Sequence, residues 1–319
     1  MKQKEKIILM IICAIIFIAS IVGIYFIITA NRKPYYVSKD DNYEMELNVG
    51  NSNYFYNCLN ENQQSLYRSF HKEINLFIAG EKSLDKNGEY NILGRFSYEE
   101  FEVSKEEASN TLAAFCYDSP TYYMLVGAHC LAYPNMICPV IEKEYIEKDK
   151  REDLEEVMTN ELSELSVIVN QCDNDYDKLF TIYNYILDNT SYSKVTNIEC
   201  NNIVSIFDND NNTNSHCQGY ANSLSLLCNF FGIDCLFVGS DSVNHSFNVV
   251  CIDGIWYYCD VTLDDKSQRD YKYFLCGEKE YWEHFGYDVP MYNTVESEGI
   301  SWQGKLPELS LVSYKKNIE

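Results

Sequence analysis

The chain has 319 residues, 46% of them hydrophobic, and a formal net charge of −23 from 25 Lys/Arg against 48 Asp/Glu. That length allows one or two domains with a sizeable core, and that hydrophobic content excludes a wholly disordered chain. The acidic excess sits after the N-terminus: residues 34–319 hold 20 Lys/Arg against 47 Asp/Glu, a net −27, which argues against nucleic acid as a partner.

Residues 7–29, IILMIICAIIFIASIVGIYFIIT, carry no charge. A helix of that length spans about 34 Å, enough to cross a hydrocarbon core of about 30 Å. Lys2, Lys4 and Lys6 precede the run and Arg32 and Lys33 follow it, so the positive-inside rule leans weakly toward a cytoplasmic N-terminus. No second apolar run of that length follows. The expectation is a single-pass anchor over 1–33, meeting the lipid bilayer through 7–29, with the rest of the chain extracytoplasmic. A cleaved signal peptide is the alternative. The run exceeds a usual h-region of about 7–15 residues, and Ile28 fits poorly at −3 before Ala30. Cys13 follows Ile12, where a lipoprotein signal needs a small residue.

A polar linker is expected over about 31–53. Leu66, Tyr67, Phe70, Ile74 and Phe77 recur at helical spacing within 60–80, and Gly80 ends that helix. A second helix begins at a capping box of Ser104 and Glu107 and stops before Pro120. The charge run 142–157 reads as the solvated start of a helix continuing through Leu162, Leu165 and Ile168. Within 175–192, Tyr176, Leu179, Phe180, Tyr183, Ile186 and Leu187 share one helical face, with Asp175 as the expected cap. Residues 208–215 are a loop by composition. The run 217–231 reads as a helix ended by Gly232, and CLFVG after it as a strand. HSFNVVCI, Asp253-Gly254 and IWYYCDV form the clearest hairpin, because Asp-Gly suits a type I′ turn. Residues 291–319 read as a weakly patterned tail. No internal repeat is visible.

Thirteen cysteines stand in the chain, and no C-x-x-C spacing occurs. The usual zinc and redox spacings are therefore missing, and buried free thiols fit better than a dense disulfide framework. His216 beside Cys217 has no second ligand pair at zinc spacing, so no metal is expected. Cys217, at the mouth of an apolar helix, is open to four readings: core residue, half a disulfide, metal ligand or nucleophile.

The hairpin narrows the choice. With Asp253-Gly254 as a two-residue loop, Ile252 faces Ile255 and Phe247 faces Asp260. His245 then lies diagonal to Asp260 on the same face, about 7–8 Å away and within side-chain reach. That face carries His245, Phe247, Val249, Cys251, Trp256, Tyr258 and Asp260. It is mostly apolar, so it packs on something, and a buried acid and imidazole are costly unless paired. The preceding helix is the natural partner, and its first turn holds Cys217. A thiolate at a helix N-terminus beside an imidazolium is stabilised by both, and a carboxylate behind the imidazole fixes its tautomer.

CQGYANSLSLLCNFFGIDCLFVGS, NHSFNVVCIDGIWYYCDVTLDD and their spacing resemble the transglutaminase-like superfamily, a branch of the papain-like cysteine-enzyme fold. The matching pieces are Cys217-Gln-Gly-Tyr-Ala, Gly232-Ile233, His245-Ser-Phe-Asn, Trp256-Tyr-Tyr-Cys-Asp260 and Thr262-Leu-Asp-Asp. The match covers about 200–276, and the helices of 150–192 and YKYFLCG also look like the family's surroundings. Phe247 and Leu263 stand where the family commonly has Trp, and His216 where it has a small or apolar residue.

The resemblance implies an α+β fold: a papain-like core with the Cys217 helix on an antiparallel sheet. By this reading, residues 1–33 are the anchor and 34–149 a mainly helical region, of which 54–140 looks like the N-terminal part of membrane-anchored bacterial members. Residues 150–290 are the transglutaminase-like domain, with its core at 200–276, and 291–319 are the tail. The implied catalytic set is Cys217, His245 and Asp260, with no cofactor. The implied reaction is attack of the Cys217 thiolate on an amide of a protein or peptide substrate, giving a thioester. Amine, or water, then completes cross-linking, deamidation or peptide hydrolysis. The rival expectation is a non-catalytic scaffold module of the cell envelope that keeps the fold.

Overall fold

The computed structural model describes residues 34–192, 198–207, 214–240, 242–267, 269–288, 290 and 305–315. The anchor expected over 7–29, and most of the expected loop over 208–215, lie outside them. Among the described residues, no helix is long and apolar enough to cross a membrane.

The strands in chain order are β1 (Tyr36–Val37), β2 (Asp85–Asn87), β3 (Tyr90–Ile92), β4 (Arg95–Ser97), β5 (Cys130–Ala132), β6 (Met136–Ile141), β7 (Ser191–Tyr192), β8 (Asn214–Ser215), β9 (Cys235–Ser240), β10 (His245–Ile252) and β11 (Ile255–Cys259). The last three form an antiparallel sheet in the order β11-β10-β9. Its hairpin turns on Asp253 and Gly254, whose φ values of 54° and 79° are those of a type I′ turn. Ile252 opposes Ile255 and Asn248 opposes Cys259, so the register is the expected one. The helix Cys217–Phe230 packs on this sheet, and the helix Asp175–Asn189 packs on that helix. Gly232, at φ 79°, ends the Cys217 helix as expected.

The N-terminal half departs from the expectation of a mainly helical region. It does contain the helices Glu61–Ile78 and Lys105–Asp118, the second with the expected Ser104/Glu107 capping box. It also contains a six-stranded sheet in the order β1-β4-β6-β3-β2, with β5 on β6. These strands run two to six residues, too short for alternation to show, and β6 carries Pro139, which argues against a strand.

Three further expectations are corrected. Asn174, not Asp175, caps the 175–189 helix, accepting from the Asp177 N–H at 2.9 Å. The charge run holds a 3-10 turn at Lys143–Tyr145 before its helix starts at Lys148. The 34–53 stretch docks instead of dangling: β1 pairs β4, and Ser52 donates to Asp118 through both its N–H at 2.7 Å and its hydroxyl at 2.5 Å.

The described residues from 36 onward pack as one unit. Phe115 from the N-terminal half and Leu224 from the Cys217 helix belong to one buried cluster, and the Tyr117 and Phe237 rings lie 4.6 Å apart. The end of the chain joins it too. Leu309 bridges Trp256 on the free edge of β11, and the Ser310 N–H donates to the Trp256 carbonyl at 2.8 Å.

Candidate active site

Cys217 is the first residue of its helix, and Gly219 explains how that helix start is placed. A Cβ built on Gly219 would lie 2.2 Å from Ser215 Oγ and 2.4 Å from the Cys200 carbonyl oxygen. Only glycine lets the first turn press against the Ile198–Asn201 turn. On the other side, the buried Asn248 of β10 donates from Nδ2 to the Ala221 carbonyl at 2.8 Å and to Leu236 at 3.3 Å. The helix and the sheet are thus joined by a polar bond inside the core, one residue beyond Phe247.

His245 opens β10, and Asp260 follows β11 directly. Their side chains are 8% and 0% exposed, and His245 Nε2 lies 2.7 Å from Asp260 Oδ2. The same carboxylate oxygen accepts from the Tyr281 hydroxyl at 2.9 Å, while Oδ1 accepts from the Leu263 N–H at 3.0 Å and so caps the helix Val261–Lys266. Both oxygens are hydrogen-bonded, as a buried carboxylate requires. With Nε2 taken, Nδ1 of His245 is the nitrogen left for the Cys217 thiol, which lines the same cleft.

The electrostatics follow from these contacts. Burial pushes the Cys217 thiol up, but the hydrogen bond and charge of His245 and a backbone bond from Ser246 outweigh it, and its pKa is lowered. Burial pushes His245 down, but the Asp260 charge and hydrogen bond, with Cys217, raise it to about 10. Both directions favour thiolate beside imidazolium. Cys228 and Cys259, by contrast, are wholly buried, and burial raises Cys259 well above an ordinary thiol.

An aromatic bed holds the pair in place. The His245 ring stacks 6.3 Å from Phe247 and lies 5.8 Å from Phe285, and Tyr281 stacks on Tyr258 at 4.4 Å. Tyr281 sits on the helix Glu278–His284, beyond the motifs, and sequence reasoning missed it. Its only signal is the aromatic spacing of Tyr281, Trp282 and Phe285.

The Thr262-Leu-Asp-Asp motif also acquires a role that its sequence did not disclose. Asp264, fully buried, accepts from the Tyr183 hydroxyl at 2.6 Å and the Tyr273 N–H at 3.1 Å, and burial pushes it up to about 6. Asp265 accepts from the Tyr220 hydroxyl at 2.7 Å and the Tyr192 N–H at 3.0 Å. The two carboxylates tie the motif to both neighbouring helices and to β7 at the site's rim.

The thiol opens onto a cleft of about 340 Å³ lined by Tyr192, Asn201, His216, Ser240, Asn244 and Ser246, among others. Larger cavities elsewhere hold none of Cys217, His245 and Asp260. Among the described residues, no cluster of three or more His, Cys, Asp or Glu forms a candidate metal site. The twelve described cysteines are free thiols.

Cys217 and His245 therefore share an open cleft, and Asp260 lies buried behind His245. No curated protein matches the chain. A solved structure described as "Crystal structure of a TGase" is 14% identical over 42% of this chain and 43% of that one, with a TM-score of 0.30. Residues 165–261 match the family model described as the transglutaminase-like superfamily, so the chain carries a transglutaminase-like domain.

Proposed function

We propose that the protein is a membrane-tethered, extracytoplasmic cysteine enzyme acting on amide bonds of protein or peptide substrates. The observation that carries the chemistry is one imidazole bonded to Asp260 at 2.7 Å that shares its cleft with a thiol opening a helix. The tether rests on the uncharged run 7–29.

In this reading, Cys217 Sγ attacks the amide carbonyl carbon and the C=O pair moves to oxygen. The tetrahedral species collapses, the C–N bond breaks, and the leaving nitrogen takes the proton from His245 Nδ1. The product is a thioester on Cys217. An amine or water then gives its proton to the same nitrogen as it attacks the thioester, and Sγ leaves as thiolate. Asp260 keeps Nε2–H in place and stabilises the imidazolium throughout. Amine as acceptor gives cross-linking; water gives deamidation or peptide hydrolysis.

The test follows three products from a glutamine-containing protein substrate such as casein: fluorescent-amine incorporation, ammonia release and peptide cleavage. The full-length chain is expected to generate one of them, and Cys217→Ser none. Equal product from both proteins contradicts the reading.

A further inference from the structure

We propose that Asn201 supplies the side-chain half of the oxyanion site, that the Cys217 backbone N–H supplies the other half, and that His216 aims the amide. The proposal rests on the reading of Cys217 as the nucleophile.

Asn201 and His216 both line the cleft that holds Cys217 and His245. Asn201 ends the Ile198–Asn201 turn, which is held against the start of the Cys217 helix by two hydrogen bonds and a close approach at Gly219. The His216 N–H donates to the Cys200 carbonyl at 2.8 Å, Asn222 Nδ2 donates to the Asn201 carbonyl at 3.3 Å, and Gly219 leaves room for the approach. The amide therefore sits beside the end of the helix where backbone N–H groups lack intrahelical partners.

Its orientation is also set. His216 Nδ1 lies 3.0 Å from Asn201 Oδ1. With the oxygen accepting, Nδ1 carries the proton, and Nδ2 keeps both N–H groups with no described acceptor. A free amide N–H₂ beside a nucleophile is a donor in search of an anion. Two other amides line the cleft: a Cβ on Gly127 would stand 3.4 Å from Gln218 Nε2, and Asn244 belongs to the turn that leads into His245 rather than to the Cys217 helix start.

His216 itself makes better sense this way. It stands at the N-cap and makes no side-chain bond to the helix, although that position favours Ser, Asp or Asn. The cap is forgone, and the imidazole bonds Asn201 instead. The carbonyl oxygen gains its charge only as the C–S bond forms, so N–H donors waiting there favour the transition state over the bound substrate.

Two reagents separate this role from that of the nucleophile. p-Nitrophenyl acetate acylates a thiolate through a tetrahedral oxyanion and releases p-nitrophenolate. Iodoacetamide alkylates the same sulfur by displacing iodide and forms no oxyanion. In the full-length protein, Asn201→Ala is expected to slow the p-nitrophenolate burst by about 10²–10³-fold while alkylation of Cys217 stays within a few-fold. His216→Ala is expected to slow the burst less, since the amide remains but is no longer aimed. An unchanged burst in Asn201→Ala overturns the proposal. So does a parallel fall of burst and alkylation, which makes Asn201 a structural residue. If Cys217 of the unaltered protein shows no fast alkylation, the nucleophile reading fails, and the oxyanion role goes with it.

Discussion

At the scale of single residues, the chemistry depends on one carboxylate. Asp260 is fully buried and spends its oxygens on His245, Tyr281 and the Leu263 N–H. Its charge is the main reason that His245 reaches about 10 despite burial, and His245 in turn lowers Cys217. The reactive ion pair therefore spans a window that opens below the ordinary thiol range and closes as His245 loses its proton near 10. Removing Asp260 leaves burial to push the imidazole down. Asp260→Ala is expected to cut turnover by about 10²–10⁴-fold and to move the alkaline limb of the pH–rate profile to lower pH. Turnover within a few-fold of the unaltered protein, with that limb unmoved, contradicts the role. The His245–Asp260 pairing was legible from strand register because side chains alternate with period two, and Cys217 from its place at the mouth of an apolar helix. Tyr281 and the Asp264–Tyr183 bond were not, since both join residues distant in sequence: 21 positions from Asp260 and 81 apart, respectively.

At the scale of elements, the placement of the Cys217 helix rests on Gly219 and Asn248. Inside a helix, glycine costs about 0.5–1 kcal/mol relative to alanine, so propensity alone predicts that Gly219→Ala stabilises the protein. The structure predicts the opposite. The new methyl would meet Ser215 Oγ at 2.2 Å and the Cys200 carbonyl at 2.4 Å, and the second is backbone that yields only if the turn moves. Overpacking of this kind costs about 1–3 kcal/mol. Urea unfolding of Gly219→Ala is expected to show a lower midpoint, and a higher one contradicts the close approach. The long helices and the Asp253-Gly254 hairpin were readable because each has a strong period or a decisive turn. The six-stranded sheet was not: β1 has two residues, and Pro139 interrupts the pattern of β6.

At the scale of the whole molecule, the described residues from 36 onward make one unit in which the transglutaminase-like match, 165–261, is an inner part. The helix Lys105–Asp118 leans on β9 through Tyr117 and Phe237, and Leu309 lies against the outer edge at Trp256. The helix Lys148–Val169, read from the sequence as the continuation of the charge run, buries Leu165 and Val169 in the same core. Residues 305–315 dock largely through backbone groups, which leave no periodic side-chain pattern, with the Tyr314 ring 5.3 Å from that of Tyr176. The Ser310 N–H bonds the Trp256 carbonyl, and the Tyr314 N–H bonds the Leu275 carbonyl at 2.9 Å.

The central claim is that Cys217 is the reactive thiol of this molecule and that His245 makes it so. Cys228 lies on the same helix, about 16 Å further along by helical rise, and serves as an internal control. The measurement is the rate of iodoacetamide labelling of each cysteine near neutral pH, read by mass spectrometry, in the unaltered protein and in His245→Ala. The account predicts that Cys217 reacts much faster than Cys228 and that His245→Ala slows Cys217 alone. Equal rates at the two thiols, unchanged by His245→Ala, would make Cys217 a structural residue and contradict the account.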